Sequence, residues 1–194
     1  MASPADRVFE AIERSEAVDP LTRPLGKLSK LFLRRPALTG VLEGVPWLSH
    51  PLHPVLTDYP IGFWTSALAL DLIGGDVSEG AADTLVGLGI VAAVPTAAAG
   101  LAEYGRVGPP TIRAAAAHAA ANSVAVSCQT ASWVARRAGA RRAGKVLSLV
   151  AFGALSVGGY LGGHMAYERA VGVDQRPEAR ASEASGSVAP NVSV

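Results

Sequence analysis

Four histidines carry most of the chemistry that this sequence offers: His50, His53, His118 and His164. Imidazole ligates transition metals and haem iron, and it exchanges protons near neutral pH. The first two sit in the run Trp47-Leu48-Ser49-His50-Pro51-Leu52-His53-Pro54. Each proline fixes its own φ and pushes the histidine before it toward an extended backbone, so the run reads as a stiff turn presenting two imidazoles. His118 and Asn122 stand four residues apart, on one face of a helix, and the amide is placed to orient the ring. His164 follows Gly158-Gly159-Tyr160-Leu161-Gly162-Gly163. Glycines four apart, Gly158/Gly162 and Gly159/Gly163, clear a helix face for a neighbouring helix or for a flat ligand such as a porphyrin.

Other side chains extend this set. Arg106 and Arg113 could pair with haem propionates, and Tyr167, one turn beyond His164, could donate a hydrogen bond. Asp58 and Glu103 could tune imidazole basicity or simply meet water at an interface, while Asp71 reads as structural. A compact metal site would draw on His53, His118 and His164. Each feature also has a plain structural reading, with the histidines satisfying loose backbone groups and the polar pair setting helix packing. No phosphate-binding glycine loop, nucleophile elbow or His-Glu-x-x-His motif is present, so conversion of a substrate by this chain is the least supported idea.

The elements that must hold these residues are apolar helices. Hydrophobic residues make up 49% of 194 and charged ones 17%, below the quarter or so of a soluble domain. A membrane helix needs about 20 mostly apolar residues, and the stretches 54–75, 84–105, 112–135 and 146–170 meet that demand. Short connections make neighbours antiparallel. The expected fold class is therefore all-α: an integral-membrane, up-down four-helix bundle over 49–174, with an amphipathic lead-in over 1–48 and a disordered tail over 175–194. In the lead-in, Ser3-Pro4 reads as a helix start, Val8, Phe9 and Ile12 share a face, and Leu25, Leu28, Leu31 and Phe32 recur beside Lys27, Lys30, Arg34 and Arg35. Such a stretch either lies along the membrane surface or caps the bundle. The competing fold is a soluble helical protein with a very apolar core, for which the alanine-rich third stretch is the best support.

Up-down topology puts all four histidines toward one membrane face. At about 1.5 Å per residue, His118 and His164 lie at similar depth, roughly 8–9 Å in. The face bearing the histidines gathers twelve of the 17 Lys and Arg, and the other face concentrates five in one short loop. Weighing the histidine-bearing face as cytoplasmic places both termini there, in a multi-pass protein of the inner (plasma) membrane. Acidic residues through the first twenty positions argue against a secretory signal peptide. A net charge of +1 gives no mark of nucleic-acid binding, and the single Cys128 rules out an iron–sulfur or cysteine-zinc site within the chain. No repeat is evident.

The run WLSHPLHPVLTDYPIGFWTSALALD (47–71), then Pro95 to Tyr104, then His118 with Asn122, then Gly162-Gly163-His164 with Tyr167 and Gly172, resembles the bacterial membrane-protein family catalogued as domain of unknown function 2231. Ser49 departs from the glycine usual there, a change expected to matter little to ligation. Some proteins similar to this family continue into a Rieske-type iron–sulfur domain, which implies a redox setting. This sequence could serve such a domain only in trans. Bundles with inward histidines are also similar in architecture to b-type cytochromes, though fold does not imply function.

Three readings follow. The leading one is an electron-transfer module binding haem b, with His118 and His164 as axial ligands and His50, His53, Asn122, Gly159, Gly163, Tyr167 and Arg113 around it. Because helices three and four are neighbours, a haem would bridge more comfortably between His53 and His118 or between His53 and His164. The second reading is a non-haem metal site, and the third is a membrane anchor or partner subunit for a redox protein, with homo-oligomers an open possibility.

Overall fold

The computed structural model describes residues 4–171 and is all-α, with no strand among the described residues. The expected start at Ser3 and the expected disordered tail lie outside the described residues. Four shorter helices, α1 (Pro4–Arg14), α2 (Asp19–Leu33), α3 (Pro36–Glu43) and α4 (Val45–Leu48), precede four long ones: α5 (Leu52–Ile73), α6 (Glu79–Tyr104), α7 (Ile112–Arg137) and α8 (Arg141–Glu168). The four apolar stretches fall on α5 to α8. With 22 to 28 residues each, these helices are about 33–42 Å long.

Length alone would let all four cross a bilayer of roughly 30 Å. By length and apolarity together, only two qualify as membrane spans, Asp76–Tyr104 and Arg141–Glu168. In α5 the apolar run is diluted by His53, Asp58, Pro60 and Asp71, and in α7 by His118, Asn122 and Gln129. Several of these polar groups turn inward: Gln129 is buried and Asp71 is 2% exposed.

Side-chain size is distributed the wrong way round for a protein in water. The inward faces carry Ala67, Ala82, Ala93, Ala99, Ala116 and Ala125, together with Gly89, Gly144 and Gly158. Leu72, Val91, Val94, Val134, Leu149 and Val157 are all more than half exposed on the outside. Small residues let helix backbones approach closely.

The long helices form two antiparallel hairpins, α5–α6 and α7–α8, each packed extensively within itself and more lightly on the other. Proline chemistry knits the first. Pro60 lacks an N–H and so leaves the Leu56 carbonyl without its helical donor. The Thr96 hydroxyl, on α6, supplies one at 3.1 Å. Nearby the Trp64 indole donates to the Val86 carbonyl at 3.2 Å, in space left by Gly89.

At the end of the bundle away from the histidines, the hairpins meet through a buried ionic network. The Arg136 side chain is 0% exposed and chelates the carboxylate of Asp71 with both terminal nitrogens. Arg136 also donates to Asp83 at 3.2 Å and to the Ser132 and Ser148 hydroxyls at 3.1 Å each. Ser148 donates on to Gln129 at 3.1 Å, and Arg141 holds Asp83 at 2.7 Å and Glu79 at 2.9 Å. Two of the five basic residues counted toward this face are thus internal fasteners.

At the opposite end the lead-in docks on the bundle. Phe9 is fully buried against Tyr104, Ala114, Ala115, Leu161 and Met165. Three of the four long helices, α6, α7 and α8, each carry in or just beyond their end there one arginine that meets an acid of the lead-in. Arg106 chelates Glu43 with two bonds of 2.6 Å, Arg113 chelates Asp19 at 2.7 and 2.9 Å, and Arg169 reaches Glu13 at 2.9 Å. The outer side of α2 still exposes Leu21, Leu28 and Leu31 beside Lys27 and Lys30.

Candidate ligand-binding site

Two of the four histidines are seated alike. His53 lies in the first turn of α5, and its Nδ1 is 2.9 Å from the Thr96 carbonyl of α6. His118 lies in the second turn of α7, and its Nδ1 is 2.8 Å from the Gly158 carbonyl of α8. A carbonyl only accepts, so Nδ1 is the donor in both rings, and the neutral imidazole keeps its lone pair on Nε2. Nδ1–H bonded to a backbone carbonyl, with Nε2 left as ligand, is the common arrangement behind a metal-bound histidine.

Each ring needs a glycine beside it. A Cβ on Gly100 would stand 2.8 Å from His53 Cε1, and one on Gly162 would stand 2.9 Å from His118 Cε1. Thr96 and Gly100 were not among the residues singled out from sequence. The Thr96-x-x-x-Gly100 spacing on one helix face was the available signal, hidden in an alanine-rich run.

The two rings lie close together across the bundle, with centroids 6.1 Å apart and planes at 85°. Asn122 flanks the second ring: its side-chain nitrogen donates to the His118 carbonyl at 3.0 Å and to Nε2 at 3.2 Å, so in this structure the His118 lone pair is engaged by the amide, which a ligand at Nε2 would displace. The amide fits because Gly158 has no Cβ, which would fall 2.6 Å from Oδ1. No hydrogen bond to Nε2 of His53 occurs among the described residues. On α6, Oε1 of the Glu103 carboxyl is buried with no hydrogen-bond partner among the described residues.

The remaining expected residues lie elsewhere. His164 is stacked on Phe9 of the lead-in, centroids 4.0 Å apart at 35°, and lies 6.0 Å from the Tyr160 ring. Of the pairings read from sequence, His53 with His118 is the one whose rings the structure brings within 6.1 Å. Equal depth along two helices does not make two rings face each other, and the Phe9 contact holds His164 on its own side. His50 is exposed in the turn before α5. Of the two glycine faces, Gly158/Gly162 receives Asn122 and His118, whereas Gly159 and Gly163 have open space where a side chain would stand. Tyr167 is 89% exposed. Arg106 and Arg113 are bonded to Glu43 and Asp19 of the lead-in. Outside the long helices, that pairing holds the Asp19 carboxyl below its usual value, chiefly through the Arg113 hydrogen bond.

Among the described residues no group of three or more His, Cys, Asp or Glu side chains is placed to hold a metal ion. The expected metal set of His53, His118 and His164 is accordingly not assembled, because His164 is absent from the pair. What remains is a two-imidazole site between two helical hairpins.

An all-helical bundle with apolar outer faces and paired inward histidines is the class of protein that fold and site define. Residues 49–175 match the family described as predicted membrane protein, domain of unknown function 2231, and the chain belongs to that family. Comparison with curated proteins and with solved structures finds no significant match to either. The match begins at Ser49, so the docked lead-in lies outside the matched region.

Proposed function

We propose that the chain is a four-helix integral membrane protein that holds one haem b between its hairpins, with His53 and His118 as the axial ligands, and serves electron transfer. The observation that carries this reading is the shared seating of the two rings. Each is fixed by Nδ1 on a backbone carbonyl, and their centroids are 6.1 Å apart. Two metal–imidazole bonds of about 2 Å, with the two ring radii added, span roughly 6 Å. The perpendicular planes agree with two imidazoles approaching one centre from opposite sides.

The residues of the site have separable tasks. The Thr96 and Gly158 carbonyls fix the tautomer and orient each ring, Gly100 and Gly162 admit the rings to their helices, and Asn122 steadies His118. Light packing between the hairpins leaves the interface as the place where a flat group would insert. When bound, haem supplies one-electron chemistry whose potential is set by its axial ligands and surroundings. Bilayer insertion of α5 to α8 rests on the reversal of side-chain size, with alanine and glycine inside and valine and leucine outside. We place the protein in the inner (plasma) membrane with the histidine-bearing end and both termini cytoplasmic. A Rieske-type protein acting in trans is the partner class that the redox setting suggests.

The absence of any three-donor group among the described residues favours one second reading, in which the histidines only staple each hairpin and the bundle is an anchor for a redox partner. Absorption spectra of the detergent-purified protein, as isolated and after dithionite, decide between the two. A Soret band with reduced α and β bands, lost in both His53→Ala and His118→Ala and kept in His50→Ala and His164→Ala, supports the haem reading. A protein that stays colourless after haem is supplied refutes it.

A further inference from the structure

We infer that the four long helices are two copies of one helical hairpin, fused in tandem and related by a pseudo-two-fold axis parallel to the helices, with His53 and His118 on that axis as a single symmetric two-imidazole site. Residue identity hides this relation, but position shows it. An offset of 65, that of His53 to His118, carries α5 onto α7, and an offset of 62, that of Thr96 to Gly158, carries α6 onto α8. The offset falls by three across the turn, because the connection 138–140 is two residues shorter than 74–78 and α7 ends one residue before the counterpart of the end of α5.

Under these offsets the two histidine seats coincide in every part. Ring, accepting carbonyl and the glycine four residues beyond that carbonyl are His53, Thr96 and Gly100 in one hairpin and His118, Gly158 and Gly162 in the other. Lower down, Trp64 bonds Val86 at 3.2 Å, and their counterparts Gln129 and Ser148 bond each other at 3.1 Å. Burial also matches: Ala67 with Ser132, Ala82 with Gly144, and Ala99 with Leu161 are buried in both copies.

Charge is where the copies differ, and the difference is systematic. Asp71, Glu79 and Asp83 of the first hairpin correspond to Arg136, Arg141 and Lys145 of the second. A two-fold contact requires that if one residue touches a second, their counterparts also touch. Arg136 donates to Asp83 at 3.2 Å, and the counterpart contact is Lys145 Nζ to the Asp71 carbonyl, also 3.2 Å. Residues on the axis meet their own counterparts, as His53 meets His118 and Asp71 meets Arg136. At the level of helices the same reciprocity holds, since α6 packs on α7 and α8 packs on α5. Opposite charges at equivalent positions make each hairpin a partner for the other and a poor partner for itself.

That the centre on the axis is haem rests on the proposed function; the duplication does not. The test uses the full chain with Cys128→Ser and two spin-labelled cysteines, Tyr59 with Val150 in one sample and Val124 with Leu88 in the other. All four positions are exposed, and the offsets interchange the two pairs. Pulsed dipolar spectroscopy in nanodiscs should give distances that coincide within the width of the label's own distribution, and means separated beyond that width overturn the duplication. Haem titration of His53→Ala and His118→Ala then reads the site, with equal loss expected. Unequal loss with coincident distances removes the site from the axis. Coincident distances in a protein that never takes up haem leave the duplication standing and sink the haem reading alone.

Discussion

Replacing Arg136 with methionine should destabilise the bundle by about 3 kcal/mol, through the charge left behind rather than the one removed. The Asp71 carboxylate is 2% exposed, and Arg136 is its bidentate partner. Breaking such a buried pair costs about 3–5 kcal/mol in general. The lower end applies here because Lys145 Nζ, 3.2 Å from the Asp71 backbone oxygen, can turn toward the abandoned carboxylate. A loss of about 3 kcal/mol is roughly a hundredfold in the ratio of folded to unfolded protein. Removing both charges, Asp71→Leu with Arg136→Met, should recover most of it, since a buried pair replaced by apolar groups is often near neutral. Asp83 keeps its 2.7 Å partner Arg141 in either variant. The assay is reversible unfolding in mixed micelles at increasing SDS fraction, followed by circular dichroism. If Arg136→Met lies within about 1 kcal/mol of wild type, or if the double variant is as unstable as the sum of the singles, the pair is not buried as described.

Three further outcomes are expected. Gly89→Ala puts a methyl into the edge of the Trp64 indole and should cost about 1–3 kcal/mol with a red shift of tryptophan emission, whereas Gly87→Ala, 3.1 Å from Trp133 Nε1, should be milder; the reverse order contradicts the packing. Ser49→Gly should stabilise by about 0.5 kcal/mol, because Ser49 sits at φ 64 where a side chain is strained; loss of stability in the same SDS titration would count against it. Asp19 has a lowered folded-state pKa, so its stabilisation of the lead-in is present above the ordinary carboxyl value of about 4 and is lost as pH falls through the folded value. Hydrogen exchange of α1 and α2 should rise over that acid range in wild type, and Asp19→Asn should remove this part of the pH dependence; an unchanged profile in Asp19→Asn refutes the linkage.

What the sequence reveals follows what each residue can declare alone. The long apolar stretches are visible because every residue adds to the same signal, and the His-Pro-x-His-Pro turn because proline acts locally. Ser49 reads as a harmless replacement for glycine until its backbone angle shows why glycine suits the site. The choice among the possible histidine pairs stays open in the sequence because depth along a helix is legible but rotation about it is not. Arg136 sits in a stretch with Arg137, Arg141 and Arg142 that resembles any solvated basic loop, and its burial depends on acids far away in sequence. The duplication escapes because the two copies keep size and burial while exchanging residue types, and at one corner they invert the charge.

The separation between Asp71 and Arg136 bears on how the protein is made. The acid is synthesised with the first hairpin, and the base that neutralises it follows 65 residues later. Between those moments the growing chain carries a carboxylate whose buried bidentate partner does not yet exist, so the first hairpin reaches its final packing only once the second is made.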